Sequence, residues 1–387
     1  MVITSAGRPI RADVARRASR GLPGRAAGLC LIALTLAACS SPASSAGASA
    51  TTTQSASISP GTDVVGVSDS WIVYEGPSGA AGDGAGIRMV RPDGTGDHWA
   101  TPDVPVPSGG WQADPDWSPD GQRIAFAADD GPQSDPSLWT RDLWVSDVNG
   151  GQAERVFDCR LPCLEADDPA WSPDGQQLAF VAFDGRGDSF VNVRLAVLDL
   201  GTGKVQTLVK AKASELFLHP RWSPDGKTLV LEIQRYTDLG PSGKLLASAI
   251  ATQPTAGLGA RPTAITPWTM WAWYPDWHPT EDLIVFSTRP WSELGTGPSN
   301  LYTLRPDGSN LTQITTFAKG ETRAAQPSWT PDGQQLIFTA VEGDDVEGDD
   351  FGDPTMAVVG LDGSGLAPAT SSGAIFGTHA RLRPTIG

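Results

Sequence analysis

Six positions recurring at a near-constant interval carry side chains suited to holding a polar ligand or a cation: Asp114, Asp168, His219, Tyr274, Gln326 and His379. Carboxylate, imidazole and amide groups gathered at one concavity are what such a ligand, or a divalent metal, requires. The same groups would serve equally to hydrogen-bond neighbouring structural units to one another. The first five stand three residues before a tryptophan, at 117, 171, 222, 277 and 329, and His379 stands three before Leu382.

The elements that must position these residues are spelled out by the repeat itself. DPDWSPDGQRIAF at 114–126 returns as DPAWSPDGQQLAF, HPRWSPDGKTLVL, YPDWHPTEDLIVF and QPSWTPDGQQLIF, with tryptophan intervals of 54, 51, 55 and 52 residues. A period of this size means stacked supersecondary units. The x-Pro-x-Trp stretch reads as an inner or edge strand in which Pro removes one ladder donor. Ser-Pro-Asp-Gly fits a type I turn, with Pro second and Gly fourth. Alternating apolar residues then give the return strand of a hairpin. Two further strands follow in each unit, as at 143–145 and 155–157, with tight Pro-Asp-Gly turns at 91–96 and 305–310.

Four antiparallel strands per unit predict an all-β propeller. Trp71-Ile72-Val73-Tyr74 reads as a second strand with no first, while the stretch from His379 to Pro384 overlays the first-strand phrase and keeps the period. The expectation is therefore six four-stranded blades, with the C-terminal strand completing the N-terminal blade and removing the open edges.

The first 38 residues stand apart from the repeats. Six arginines precede an apolar run from 26 to 38 that is too short to span a bilayer, followed by Leu36-Ala37-Ala38-Cys39. This stretch resembles the lipobox of bacterial lipoproteins, and the resemblance implies cleavage before Cys39 and acylation of that thiol. A Ser/Ala/Thr tether follows, too poor in apolar residues to order itself. The expected organisation is a signal peptide at 1–38, lipidated Cys39 and tether at 39–62, and a propeller at 63–387.

The leader holds six Arg and one Asp, so its removal deepens the formal charge from −16 to −21. An acidic domain of this kind argues against nucleic acid as a partner and leaves the lipid as the membrane contact. Cys159 and Cys163 are the remaining thiols, and in an exported protein a loop disulfide is the expectation for them.

The Trp-Ser-Pro-Asp-Gly copies with their Ile-Ala-Phe-like strands resemble the TolB-like, WD-repeat-like β-propeller family over about residues 63–387. The resemblance implies an extracytoplasmic propeller that binds envelope proteins. A tether stands where TolB has an additional α/β domain, and Thr280-Glu281-Asp282 replaces the usual turn in one copy.

In an up-and-down blade the short regular turns share one face, and the irregular loops and crossovers share the other. Trp111, Trp139, Trp268, Trp271, Trp273 and Trp291 fall in those loops, where they would either form a platform for sugars or apolar peptide side chains or pack the loops onto the blades. The acidic stretch 342–353 lacks the pattern of a calcium loop and reads as solvated chain. The sequence contains no nucleophile elbow, zinc-protease helix or phosphate loop.

The reading is a monomeric, lipid-anchored propeller on the outer side of the cytoplasmic membrane, acting as a binding or scaffold module for an envelope protein, peptide or glycan and needing no cofactor. The competing reading is a metal-assisted carbohydrate lyase or hydrolase with a divalent ion at the channel mouth. It rests on likeness to propeller lyases that hold a metal through His and Gln at such a mouth.

Overall fold

The computed structural model describes residues 70–77, 85–148, 151, 153–186, 189–288, 298–318, 322–342, 354–371, 375 and 377–384. The expected leader, Cys39, the tether, Trp291 and the acidic stretch beyond residue 342 lie outside the described residues. No helix among the described residues is long and apolar enough to cross a membrane.

The repeated turn forms for the reasons its residues suggest. Gly121 N–H donates to Ser118 O (2.8 Å), and Gly121 takes φ +62°, a conformation that favours glycine. Asp120 accepts from the Ser118 hydroxyl (2.5 Å) and from Gln122 N–H (3.0 Å). Ser172 with Asp174, Ser223 with Asp225 and Thr330 with Asp332 repeat this arrangement. In the divergent copy His278 replaces the hydroxyl, its Nδ1 accepting from Thr280 and Glu281 N–H at 3.1 and 2.9 Å.

These turns set out 24 strands among the described residues. They are β1 (Ile72–Pro77), β2 (Ala85–Val90) and β3 (His98–Trp99); β4 (Gln112–Trp117), β5 (Arg123–Asp130), β6 (Thr140–Asp147) and β7 (Ala153–Phe157); then β8 (Cys163–Trp171), β9 (Gln177–Arg186), β10 (Ser189–Asp199) and β11 (Val205–Lys210). The next group is β12 (Glu215–Trp222), β13 (Thr228–Tyr236), β14 (Leu245–Pro254) and β15 (Thr263–Ala264), followed by β16 (Ala272–Trp277), β17 (Ile284–Thr288), β18 (Leu301–Leu304) and β19 (Thr312–Gln313). The last are β20 (Thr322–Trp329), β21 (Gln335–Glu342), β22 (Thr355–Gly360), β23 (Ala367–Pro368) and β24 (Thr378–Leu382).

The arrangement is all-β and propeller-like, with one correction to the blade count. Four sheets are separate four-stranded blades: β12 to β15, β16 to β19, β20 to β23, and β24-β1-β2-β3. Strands β4 to β11 instead form one eight-stranded sheet. The cause is local: β6 and β8 share a parallel bridge at Arg141↔Glu165. Arg141 also reaches across it, binding Asp129 at 3.0 Å and Asp167 at 2.8 Å. In the first blade β24 pairs antiparallel with β1, Leu382 opposite Ile72 and Arg381 opposite Val73.

The apolar residues of the return strands fill the space between sheets. Phe126, Phe180, Phe286 and Phe338 are fully buried, and so is Leu231 at the equivalent place. Truncating one of these phenylalanines to alanine would cost about 3–5 kcal/mol. The repeat tryptophans add polar ties: Trp117, Trp222 and Trp329 each donate an indole N–H to the neighbouring inner strand, at Arg381 O, Ala170 O and Asp276 O. Trp277 donates to Glu281 O within its own divergent turn. Cys159 and Cys163 are joined by a disulfide where β8 begins.

Candidate functional site

All six recurrent residues share one unusual backbone. Asp114, Asp168, His219, Tyr274, Gln326 and His379 have φ between 50° and 55°, the left-handed region, which costs an ordinary residue about 1–2 kcal/mol. Each lies in a break of register of its inner strand, between Ala113 and Asp116 in β4 and between Leu218 and Arg221 in β12, for example. In five copies proline follows, so the bulge forfeits no ladder donor there. The bulge turns these side chains toward one another.

What gathers is a buried polar ring, 7% exposed or less at every one of the six. His219 Nδ1 lies 3.1 Å from Glu232 Oε2, and its Nε2 lies 3.6 Å from Asp168 Oδ1. His379 repeats the pattern, with Glu75 Oε1 at 3.1 Å and Asp114 Oδ1 at 3.5 Å. Gln326 Nε2 stands 2.8 Å from His379 Nε2, and Tyr274 packs against the His219 ring at 4.3 Å. The strained backbone N–H groups are used as well: Asp114 donates to Glu75, His219 to Asp168 and Tyr274 to Glu232.

Burial and this charge pattern set the protonation of the ring. Burial pushes up the carboxyls of Asp114 and Asp168, and lifts Asp167 to about 7 despite the opposing Arg141. The neighbouring Asp114 carboxyl adds to the rise of Asp167, as a like charge close by does. Burial pulls His219 and His379 down, but the carboxylates around them more than offset it, and both are raised. Glu75 moves the other way: burial opposes, yet His379 holds it below its ordinary value.

Glu75, Asp114 and His379 each bring one ligand atom within 4.8 Å of the others. Two carboxylates and an imidazole form a donor set for a divalent cation. Both Glu75 oxygens are already engaged, Oε1 by Asp114 N–H and His379 and Oε2 by the Thr378 hydroxyl. An ion there would have to displace these partners.

A second ring lies two residues further along the same strands, and the sequence reading missed it. Asp116, Ala170, Arg221, Asp276, Ser328 and Arg381 each precede a repeat tryptophan or Leu382 by one residue. Arg381 bridges Asp116 and Asp276 at 3.5 and 3.4 Å. A cavity of about 10 Å³ separates the two rings. Below the second ring a cavity of about 270 Å³ opens between the repeat tryptophans. Glu75, Asp167 and Glu232 were missed too. Their signal was an acidic residue inside an otherwise apolar or inner-strand run.

Of the tryptophans expected in loops, Trp273 instead lies on β16, and the described ones are engaged in packing. Trp268 lies under Arg235 at 3.6 Å, Trp139 donates to Pro132 O, Trp273 is buried beside Tyr274, and Trp111 and Trp271 are half-buried.

Comparison with known proteins decides the fold. The chain superposes on TolB from Acinetobacter baumannii with a TM-score of 0.54 at 16% identity, covering 82% of this chain and 68% of that one. The fold is TolB-like. No protein-family model matches the chain. Among curated relatives, an uncharacterized peptidase of Bacillus subtilis is 28% identical over 124 residues, which is 31% of this chain and 17% of the relative. The Tol-Pal system protein TolB of Alcanivorax borkumensis is 28% identical over 93 residues, 24% of this chain and 19% of the relative. The TolB-like chain thus spans less than a fifth of the length of these two relatives.

Proposed function

We propose that this chain is an exported, lipid-anchored propeller that binds a protein, peptide or glycan of the cell envelope through its loop face. The eight-stranded sheet is read as two blades, β4 to β7 and β8 to β11, joined by the Arg141–Glu165 bridge. With β24 completing the first blade, the ring then has six.

The observation that carries this reading is the mutual pairing of charges within the buried upper polar ring. Both imidazoles and the strained N–H groups of His219 and Tyr274 are paired with carboxylates of neighbouring strands, and the ring is buried, so recognition falls to the surface around it. Likeness of fold to TolB supports a protein partner, and the acidic charge favours a basic one. Anchoring follows from Cys39 at the end of the leader.

A second reading is favoured by the Glu75, Asp114 and His379 group, which would hold a divalent ion for carbohydrate cleavage. One experiment separates the two. The full chain is probed against arrays of purified envelope proteins and glycans, with and without EDTA, alongside a His379→Ala variant verified as folded by circular dichroism. Capture of a protein or peptide that survives EDTA and the substitution is the expected result. Glycan capture lost in both conditions would establish the metal reading, and capture of nothing would refute both. Cys39→Ala should move the protein from the membrane fraction to the soluble fraction, and continued membrane retention would remove the anchor from the proposal.

A further inference from the structure

The cavity of about 270 Å³ lies on the turn side of the channel, away from the loops. Its wall is made by the five repeat tryptophans, with Leu382 in the sixth place, and half-buried Pro279, Pro331 and Pro384 stand at its edge. Its floor is the second ring. The 10 Å³ space above that floor has room for about one water. A molecule entering from the turn side therefore stops at the floor.

The floor is charged but unevenly satisfied. Asp116 and Asp276 each give one oxygen to a backbone N–H, of Trp171 and Trp329 respectively, and the other to Arg381. Each of their oxygens thus already faces one donor. Arg221 differs: it is 6% exposed, it donates to Pro220 O at 2.8 Å, and its Nε has no hydrogen-bond partner. The Asp276 carboxylate paired with it stands 3.9 Å away, beyond hydrogen-bond reach. A buried guanidinium donor left unmade is costly to the fold, and an incoming acceptor would relieve that cost.

We propose that this funnel binds a free carboxylate carried on an apolar or aromatic body, the carboxylate meeting Arg221 and the body lying between the indole faces. Guanidinium and carboxylate match in geometry, and tryptophan walls favour a flat or apolar body. Two aspartates already face two arginines in the floor, so a singly charged acid is accommodated where a phosphate dianion is repelled. A cation is disfavoured because the aspartates already face the guanidinium groups of Arg221 and Arg381. The carboxylate comes either from a small organic acid or from the C-terminus of a peptide.

The test uses the purified full chain and two matched pairs of probes, 3-phenylpropionate with its amide and an apolar tripeptide acid with its C-terminal amide. Binding is read by titration calorimetry and by quenching of tryptophan fluorescence. The acid of at least one pair should bind at least tenfold more tightly than its amide, and the pair that does so identifies the source. Arg221→Gln should bring the acid down to the level of the amide. Equal binding of acid and amide, no binding of either acid at millimolar concentration, or undiminished acid binding by a folded Arg221→Gln protein would overturn the proposal. Because the acid and amide are compared on the unaltered chain, the result stands even where the variant fails to fold.

Discussion

Two layers of side chains cross the same channel, two residues apart on the same inner strands, and they handle burial differently. The upper layer collects carboxylates and two imidazoles and solves the problem with protons: Asp167 is pushed up to about 7, and His219 and His379 are biased toward keeping theirs. The lower layer solves it mainly with arginine, whose charge is fixed, set against Asp276 and an Asp116 carboxyl that burial pushes up. The upper layer thus carries most of the pH sensitivity, whereas the lower is held by two guanidinium groups, one of which keeps an unmade donor. A channel of one construction carries a titratable seal at one level and an arginine-held floor at the next.

The sharpest way to break this comparison is to remove Arg381. Arg381→Met leaves the Asp116 and Asp276 carboxylates buried without their shared cation, and chemical denaturation should give a loss of about 3–5 kcal/mol. A loss below about 1 kcal/mol would mean that the lower layer is wet and screened.

His379→Ala should cost less, about 1–3 kcal/mol, because Glu75 keeps the Asp114 N–H and the Thr378 hydroxyl when the imidazole goes. A loss equal to that of Arg381→Met would erase the distinction between the layers.

The smallest effect is in pH. Asp167 titrates at about 7 in the folded chain against roughly 3.9 unfolded. The folded state therefore holds the extra proton, and its contribution to stability is present at low pH and lost as pH rises from about 4 through 7. The raised histidines continue the same trend above their unfolded value of about 6.5. Melting temperatures of the unaltered chain should fall between pH 5 and pH 8, and Asp167→Asn should flatten that fall. An unchanged slope in the variant would place the titration elsewhere.

Much of this architecture was legible because it repeats. The turn residues, the return-strand apolar run and the tryptophan period fix the hairpins, and Pro after Asp114, Asp168, His219, Tyr274 and Gln326 marks the positions that turn inward. The overlay of His379 on His219 located β24 beside β1 without any contact information. What was not legible depends on irregular residues. The merging of β4 to β11 into one sheet turns on Arg141 and Glu165, which belong to no repeat. The lower ring was overlooked although it has the same period, because Ala170 and Ser328 interrupt its charged run and hide the pattern. The repeat tryptophans served only to set the period, and only the folded chain places them around a cavity.

The shared left-handed backbone of the six ring residues has a further consequence. Carboxylate, imidazole, phenol and amide all occupy the same kind of bulge at φ between 50° and 55°, so the backbone does not specify which chemistry each position carries. The ring behaves as a set of identical sockets, and its composition can be rewritten one blade at a time, by selection or by design, without recutting the scaffold that holds it.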